Sequence, residues 1–342
     1  MTTQHRPVAT LATVAEVAGV SRQTVSNALN NPELLRPDTL ARVQAAIEEL
    51  GYRPNRAARN LRTRASHLIG LRIEPTVEGS ASGLMDRFLH SLVEASRAAD
   101  LHVLLFSPED VEDPVDGYDA LLRSAAVDAF VITDTYRGHL TAAWLTEREV
   151  PFVSFGRPWT APEAGHPWVD VDGRSGTRAA VDHLVERGHT RVAWVGWAET
   201  SYIGEDRRAG WAEQAAAHGL ATDGLAVRGE DTMAAGRDAA HRLLDLADPP
   251  TAFVCVSDTV AMGVLQALAD RGLRSGPGGV GVVGFDDSFA AQVVPPGLTS
   301  VRQPLEQIAA ELVRLLHSRL AETGAEDIHV LLPPALQVRG TS

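Results

Sequence analysis

The sequence has little of several features, and each shortage excludes a class of protein. A single cysteine, Cys255, occurs among 342 residues, so neither an intrachain disulfide framework nor a cysteine-based metal site is expected. No stretch reaches the roughly eighteen uninterrupted apolar residues that a membrane-spanning helix needs. The segment from Met1 to Thr10 is polar and lacks the apolar core of a signal peptide. We therefore expect a cytoplasmic protein without a membrane segment.

Lysine is absent as well, so arginine supplies all 31 of the Lys+Arg positive charges. The formal net charge of −13 taken alone argues against DNA binding. The charge is unevenly distributed, however. Residues 1–66 contain nine arginines and five acidic residues and carry +4, which leaves −17 for the remainder. A basic segment on an acidic chain is typical of a protein with a local binding site for a polyanion such as DNA.

Residues 10–51 have the pattern of three short helices. Thr10 and Ser21 are suitable N-caps for the first two, and Gly19 between them permits a sharp turn. The third begins near Pro37, a favourable residue for a first helical turn, and ends at Gly51. Two short helices joined through a glycine turn predict a helix-turn-helix, whose second helix enters the major groove of DNA. A packing unit without a DNA role is the alternative.

The start of the second helix carries the side chains that we expect to contact bases. Arg22 suits the edge of guanine, whereas Gln23 and Asn27 suit the edge of adenine. These three residues lie on one side of the predicted helix, away from its apolar positions. They are therefore the candidates for reading DNA sequence.

The segment after the third helix has a different composition. Pro54 breaks the chain, and Asn55 is a suitable cap for a short helix at Arg56–Arg62. A helix of that length is marginal in water, and this one has almost no apolar side chains with which to form a core. We expect it to fold only against a partner.

From residue 67 onwards, short apolar strands alternate with amphipathic helices. Repeated units of this kind predict parallel sheets covered on both faces, and the length suits two doubly wound lobes. The predicted strands are His67–Ile73, Leu101–Phe106, Ala129–Thr133, Phe152–Phe155, Arg191–Gly196, Ala252–Ser257 and Val280–Phe285. The predicted helices are Met85–Ala99, Gly138–Glu149, Gly173–Arg187, Ala209–His218, Ala234–Ala247, Val260–Arg271 and Leu305–Leu320.

Two stretches of the basic segment resemble the DNA-binding headpiece of the LacI/GalR family of repressors. They are TLATVAEVAGVSRQTVSNALN at Thr10–Asn30 and AIEELGYRPNRAARNLRT at Ala46–Thr63. The resemblance implies that Arg56–Arg62 is a hinge helix that folds when two copies meet in the minor groove, with Leu61 as a wedge between base steps. A buried contact at a domain junction is the alternative for Leu61. The resemblance implies DNA contacts by Thr10, Ser21, Arg22, Gln23, Thr24, Asn27, Asn30, Tyr52, Asn55, Arg59 and Leu61.

The resemblance continues through the rest of the chain. It implies a periplasmic-binding-protein-like body with two lobes, a ligand cleft and three crossovers between the lobes. The segments that carry it are Val150–Arg157, Gly176–His189, Arg207–Trp211, Ser257–Gly263, Val283–Asp287 and Pro295–Gln303.

Polar side chains at the ends of predicted strands are candidates for the ligand cleft. Arg157, Ser257 and Asp286 each follow a strand, and ligands in parallel sheets bind beyond the carboxyl ends of the strands. Arginine and carboxylate groups converging on one cleft suit the paired hydroxyls of a sugar. A strand-end cap or a surface ion pair is the alternative for each residue. The family resemblance adds Arg207, and the start of a helix at the opposite rim of the cleft adds Asp86. The residues predicted to bind the ligand are therefore Asp86, Arg157, Arg207, Ser257, Asp258 and Asp286.

The chain departs from the family pattern at three positions. Asn27 stands where the family often has Arg, so base preference there is expected to differ. Arg36 stands where a small capping residue is usual, so the third helix begins less firmly or Arg36 contacts phosphate. Ser257 stands where many relatives have Asn, so the orientation of the ligand is expected to differ.

The predicted fold class is an N-terminal all-α helix-turn-helix headpiece followed by an α/β periplasmic-binding-protein-like body of two doubly wound parallel-sheet lobes. We assign residues 1–53 to the headpiece, 54–66 to the hinge helix and linker, and 67–342 to the ligand-sensing domain. The first lobe is expected at about 67–171 and 303–325, and the second at about 172–302 and 326–342.

The predicted function is transcriptional repression by a homodimer, with a tetramer as the alternative, on near-palindromic double-stranded DNA. The effector is expected to be a mono- or oligosaccharide, with no cofactor, metal or membrane partner. The other functions considered are a cytoplasmic sugar-binding protein and an α/β enzyme with a regulatory headpiece. No nucleophile elbow or phosphate-binding loop supports the enzyme. The sequence leaves open whether the effector releases or promotes DNA binding.

Overall fold

The computed structural model describes residues 9–52, 65–73, 83–110, 113, 115–133, 140–323 and 327–342. The chain divides into two compact units, Met1–Ser66 and His67–Ser342. The first unit, called the headpiece, contains helices α1 (Leu11–Ala18), α2 (Arg22–Asn30) and α3 (Pro37–Leu50), with a 3-10 turn at Pro32–Leu34. Its small core consists of Val14, Ala15, Ala18, Val25, Val43, Ala46 and Tyr52.

Local sequence determines where the headpiece helices begin and end. At the start of α1, Thr10 Oγ1 accepts from Thr13 N at 3.3 Å, and Thr13 Oγ1 accepts from Thr10 N at 2.7 Å. Gly19 ends α1 in the left-handed region with φ 64°, where glycine carries no steric cost. Helix α3 begins at Pro37 as predicted, and Arg36 makes no side-chain capping bond, in accord with its departure from the family pattern.

The second unit, called the body, consists of two α/β lobes. Its elements in chain order are β1 (Leu68–Arg72), α4 (Gly83–Ala98), β2 (His102–Phe106), α5 (Tyr118–Arg123), β3 (Ala129–Ile132), α6 (Thr141–Glu147), β4 (Phe152–Phe155), β5 (Trp168–Val171), α7 (Gly173–Glu186), β6 (Val192–Trp197), α8 (Tyr202–Ala217), β7 (Ala226–Gly229), α9 (Met233–Leu244), β8 (Ala252–Cys255), α10 (Asp258–Asp270), β9 (Gly281–Phe285), α11 (Phe289–Val293), β10 (Thr299–Arg302), α12 (Leu305–Leu320), β11 (His329–Leu332) and β12 (Ala335–Gln337).

Each lobe is built on a six-stranded sheet. The first has the order β11-β5-β4-β3-β1-β2 and the second β12-β10-β9-β8-β6-β7. The described pairings are parallel except for β10 with β12, which is antiparallel. The parallel-sheet prediction is therefore confirmed, with the correction of one antiparallel edge strand.

Helices cover both faces of the first sheet. Neighbouring residues of a strand point to opposite faces, so an apolar strand needs a packing partner on each face. In β3, Phe130 packs in one apolar cluster with Tyr118 of α5. Val131 packs in another with Phe88 of α4. The second lobe has one larger core that includes the fully buried Trp211 of α8. No helix in the described ranges is long and apolar enough to cross a membrane.

Three crossovers join the lobes, as the family resemblance implied. They follow β5, β10 and β11. The predicted assignment of residues 326–342 to the second lobe is wrong for β11, because His329–Leu332 pairs with Trp168–Val171 in the first sheet. A short strand at a sheet edge carries no local signal for which of two sheets it joins.

The seven predicted strands are present, β4 with the predicted ends and the other six with shifted ends, but five further strands were missed. Strands β7 and β11 are four-residue strands at sheet edges that alternate exposed and half-buried residues, so neither has the long buried apolar run of an inner strand. Helix α8 begins at Tyr202, well before the predicted start at Ala209, because Ser201 caps it and accepts from Gly204 N at 3.1 Å. This correction places Arg207 on the helix itself. The other missed strands are β5, β10 and β12.

Candidate functional site

The headpiece presents the first turns of α2 to solvent. Ser21 Oγ accepts from Thr24 N at 3.1 Å and lies 2.9 Å from Thr24 Oγ1, which fixes the start of the helix. Val25 is fully buried and holds α2 against the core, whereas Arg22 and Gln23 are exposed. The residues that we expected to read DNA are thus directed away from the core.

Two amide side chains on α2 form a pair. Gln23 Nε2 donates to Asn27 Oδ1 at 3.0 Å, one helical turn along. This bond leaves the Gln23 carbonyl oxygen, one proton of the Gln23 amide and both protons of the Asn27 amide for outside partners. Further along, Asn30 Nδ2 donates to Ser26 O at 2.6 Å. The exposed side of α2 therefore offers both acceptors and donors, as the edge of a base pair requires.

One predicted DNA contact has a different environment from the others. Tyr52 is 8% exposed and belongs to the headpiece core, and burial raises the pKa of its phenol. Packing in the core is sufficient to explain a tyrosine at position 52. The DNA contact of Tyr52 therefore stays a prediction. Asn55, Arg59 and Leu61 lie outside the described residues.

The second lobe holds a buried arginine at the carboxyl end of its sheet. Arg207 is 5% exposed, and its Nη1 donates to Val256 O at 2.7 Å. Its Cζ lies 3.6 Å from the ring centroid of Phe285 and 5.4 Å from that of Trp197. Burial lowers the pKa of Arg207, and the charge of Asp286 opposes that shift. The guanidinium is thus held between two aromatic rings with a carboxylate beside it.

Asp286 lies at the end of β9 and faces this arginine. Its Oδ1 is 3.8 Å from Arg207 Nη1 and accepts from Gln303 Nε2 at 2.7 Å. Burial raises the pKa of Asp286 to about 7, against the opposing charge of Arg207. Asp286 also has φ 106°, a value that a residue with a β-carbon rarely adopts. Strained backbone of this kind is concentrated at binding and switch sites.

Ser257 and Asp258, also predicted to bind ligand, are used within the second lobe. Ser257 caps α10 and donates to Asp231 Oδ1 at 2.5 Å. Asp258 is 2% exposed, and its carboxylate accepts from Ser300 Oγ and Ser288 N, both at 2.6 Å. Burial raises the pKa of Asp258 to about 6. Asp258 therefore supports the strand ends, and a direct ligand contact by it stays an untested prediction.

Arg157, from the first lobe, reaches the second lobe. Its Nε donates to Asp170 at 2.7 Å within its own lobe, and its Nη2 donates to Asp206 of α8 at 3.1 Å. Its guanidinium also lies 4.0 Å above the ring of Trp159. Asp86 is exposed at the start of α4 and lies 3.6 Å from His90 Nδ1. The structure thus joins Arg207 and Asp286, ties Arg157 into an ion-pair network, and leaves Asp86 at the surface.

Two donors near Arg207 have no hydrogen-bond partner among the described residues. They are Arg207 Nε and Trp197 Nε1, and both atoms are buried. Buried donors are almost always paired in folded proteins, so two unpaired ones at a strand end indicate a place for a ligand's acceptors. No group of three or more metal-ligating side chains occurs in the part of the chain that the structure describes.

Sequence reasoning missed several side chains around this site. Trp197 ends β6, and the strand-end rule applied to that strand would have found it. Gln303 is the last residue of the segment Pro295–Gln303, which carries part of the family resemblance, but it was not predicted as a ligand-site residue. Asp206 and Asp231 have no local signal, because their relevance depends on Arg157 and Ser257, which are distant in sequence.

The comparisons with known proteins agree with this architecture. Residues 10–55 match the family described as bacterial regulatory proteins, lacI family, and residues 181–342 match a periplasmic binding protein-like domain. The chain is 34% identical to the HTH-type transcriptional regulator CelR of Thermobifida fusca over 353 aligned residues, with 99% of each chain covered.

Solved structures give the same result. A complex of the transcriptional regulator CelR with cellobiose matches with a TM-score of 0.74 and 31% identity, covering 98% of this chain and 100% of that one. The lac repressor dimer bound to operator and the anti-inducer ONPF matches with a TM-score of 0.79 and 27% identity, covering 97% and 98%. The chain therefore belongs to the LacI family of bacterial regulatory proteins and is a DNA-binding transcriptional regulator, not an enzyme.

Proposed function

We propose that this regulator is a cytoplasmic repressor whose affinity for a near-palindromic operator is set by a sugar bound between the lobes of its body. The observation that carries the sugar is the buried Arg207 beside Asp286, with an unpaired Nε and the unpaired Trp197 indole nearby. A guanidinium and a carboxylate side by side offer donors and acceptors to neighbouring hydroxyls. Trp197, which is half-buried, supplies an apolar face for a sugar ring, whereas Phe285 is fully buried beneath the Arg207 guanidinium.

The similarity to CelR supports this class of effector. A CelR structure contains cellobiose, and that relative matches this chain over nearly its full length. A mono- or oligosaccharide is therefore our proposal here, with Ser257 and Asp231 lining the second-lobe side. Arg157 and Asp86 are proposed to contact the ligand from the first lobe. Arg157 must first give up its ion pair with Asp206 to do so.

DNA binding is proposed to use both the headpiece and the hinge segment. The exposed side of α2 reads the major groove, and the basic charge of residues 1–66 provides attraction to phosphates. Leu61 is proposed as the minor-groove wedge. The proposed contacts are Thr10, Ser21, Arg22, Gln23, Thr24, Asn27, Asn30, Tyr52, Asn55, Arg59 and Leu61.

A homodimer is proposed because a palindromic site is read by two copies related by a twofold axis. The second lobe has an apolar patch suited to a second copy of this chain. Phe289 is 76% exposed and Val293 is 57% exposed on α11. A groove of about 520 Å³ lies between α9, α10 and the segment Val294–Pro296 that follows α11, and it includes Met233 and Leu273. A Phe289→Asp variant should run as a monomer by light scattering, whereas Leu246→Asp on the same lobe should remain a dimer.

A two-state body links the two ligands. If the sugar favours one angle between the lobes and the operator favours another, each ligand weakens or strengthens the other by the same factor. Mobility shifts on the chain's own upstream DNA, with and without sugars, test this directly. We expect a shift that weakens steeply with salt and that one sugar changes. The repressor proposal is wrong if no salt-sensitive shift occurs on any palindrome there.

The ligand site is tested by thermal-shift measurements with a panel of mono- and disaccharides that includes cellobiose. Arg207→Ala should lose the response of the wild type, because it removes the buried guanidinium. The neighbouring Arg208→Ala is the matched control, since Arg208 pairs with Glu205 at 2.8 Å on the outer side of α8. Circular dichroism checks that both variants fold. A full response in Arg207→Ala would show that the pocket is misplaced.

A further inference from the structure

The turn that follows β9 is held in an unfavourable backbone conformation. Asp286 has φ 106° and Asp287 has φ 49°, so two consecutive residues with β-carbons lie at positive φ. Such conformations persist only where surrounding contacts determine them. Within the second lobe, Asp286 N donates to Val301 O at 2.8 Å and Asp287 N donates to Ser300 Oγ at 3.0 Å.

A residue of the first lobe also holds this turn. Arg87, near the start of α4, donates from Nη1 to Asp286 O at 3.1 Å and to Asp287 O at 3.3 Å. One guanidinium nitrogen thus reaches both carbonyls of the turn. Arg87 Nη2 is buried and lies 4.0 Å from Glu306 Oε1, which keeps the guanidinium near the turn. A charged donor shared by two carbonyls is stronger than a neutral hydrogen bond.

Arg87 is rigidly connected to the first lobe. The next residue, Phe88, is fully buried and lies 4.8 Å from the ring of Phe155. Leu92, one turn further along α4, is also fully buried. The backbone of Arg87 therefore belongs to a packed helix, and its guanidinium is held at the turn by the two carbonyls.

We propose that Arg87 is the residue through which the Asp286–Asp287 turn of the second lobe acts on helix α4 of the first. Gln303 and Arg207 face the Asp286 carboxylate, and Arg87 contacts the carbonyl of the same residue. A group that binds the carboxylate and shifts the turn changes the Arg87 contact as well. Arg87 is thus a positioning residue, and the inference rests on the proposed function only in taking Asp286 as an effector contact.

The test uses neither sugar nor DNA, so its outcome is independent of the proposed function. Asp286→Gly perturbs the turn, because it removes the carboxylate that Gln303 and Arg207 face and frees the backbone to leave φ 106°. Hydrogen exchange of the α4 amides is measured by mass spectrometry in the full chain. The Asp286→Gly change is made in the wild type, in Arg87→Ala and in Arg97→Ala. Arg97 is the matched control, an exposed arginine on the same helix.

In the wild-type and Arg97→Ala backgrounds, Asp286→Gly should speed exchange in α4 by about three- to tenfold. In the Arg87→Ala background it should add less than about twofold, because the link is already absent. Arg87→Met, which keeps a long unbranched side chain but has no donor, should behave like Arg87→Ala and serves if that variant folds poorly. An equal change in all backgrounds, or none in the wild type, would overturn the inference.

Discussion

Candidate functional side chains are exposed to solvent at the start of α2 in the headpiece and buried around Arg207 in the body. In the headpiece, Arg22 and Gln23 are exposed, and Gln23 donates to Asn27 one turn along the same helix. In the body, Arg207 is 5% exposed and Asp258 is 2% exposed, and each is bonded to distant parts of the chain. Substitutions in the headpiece should therefore separate binding from stability, whereas substitutions in the cleft should change both.

The largest expected loss of stability follows from Asp258→Ala. The change leaves Ser300 Oγ and Ser288 N without the acceptor they share, and it opens space in a packed region. The free energy of unfolding of the body should fall by about 2–4 kcal/mol. All six tryptophans lie in the body, so tryptophan fluorescence in a urea titration reports this unit alone.

The control for this variant is Asp223→Ala, which removes an exposed aspartate from the same lobe. It should change the free energy by no more than about 0.5 kcal/mol. Similar losses in the two variants would mean that the bonds of Asp258 contribute little, and the contrast between buried and exposed groups would fail.

The next effect is a pH dependence that belongs to Asp286. Burial raises its pKa to about 7 in the folded chain, whereas an unfolded aspartate titrates near 4. The folded state binds this proton more tightly, so the stabilisation is complete below about pH 4 and is lost as the pH rises through 7. Asp286→Asn cannot ionise. Between pH 4.5 and 8 the wild type should lose on the order of 2 kcal/mol more than the variant.

Urea titrations followed by tryptophan fluorescence at several pH values measure the difference. Asp258, whose pKa is raised to about 6, contributes with the same sign and is present in both proteins, so its contribution cancels except for its repulsion with Asp286, which the difference includes. Parallel pH profiles for the two proteins would show that Asp286 does not titrate in this range.

The same contrast explains what sequence alone could predict. Helix caps such as Ser21, the turn at Gly19 and the apolar strands of the inner sheets depend on neighbouring residues, and these predictions are confirmed. Strand β10 was missed because its Thr299 and Ser300 are polar yet fully buried, and Thr341 and Asp258 satisfy them from 42 residues away.

The positions of the candidate ligand residues at strand ends were predicted, but their bonding partners were not. The rule for strand ends brought Arg157, Ser257 and Asp286 to the correct edges of the sheets. It did not predict that Arg157 is bonded to Asp206, or that Arg87 crosses to the turn after β9. Such pairings depend on how the two lobes meet, and no periodicity or local motif encodes that.

A smaller effect is expected at the start of α2. Ser21→Ala removes the acceptor for Thr24 N, which should destabilise the headpiece helix by about 1 kcal/mol. Ser21→Gly should cost only a few tenths of that, because glycine leaves the backbone donor open to water. Hydrogen exchange of the α2 amides measures both. The tryptophan-reported unfolding of the body should stay unchanged, and a shift there would show that the two units do not unfold separately.

The smallest effect on stability is expected for Gln23→Ala. It removes one exposed bond between amides a turn apart, which contributes about 0.2–0.5 kcal/mol to a helix. Its effect on recognition should be larger, because the pair formed with Asn27 presents a donor and an acceptor together, the pattern that adenine offers in the major groove. Selection from randomised operators should show relaxed preference at one base pair, by about 1–3 kcal/mol. Asn27→Ala should relax the same base pair, and the double variant should add little. Loss of preference at two different positions would mean that the two amides read DNA independently, and that the bond between them is broken on DNA.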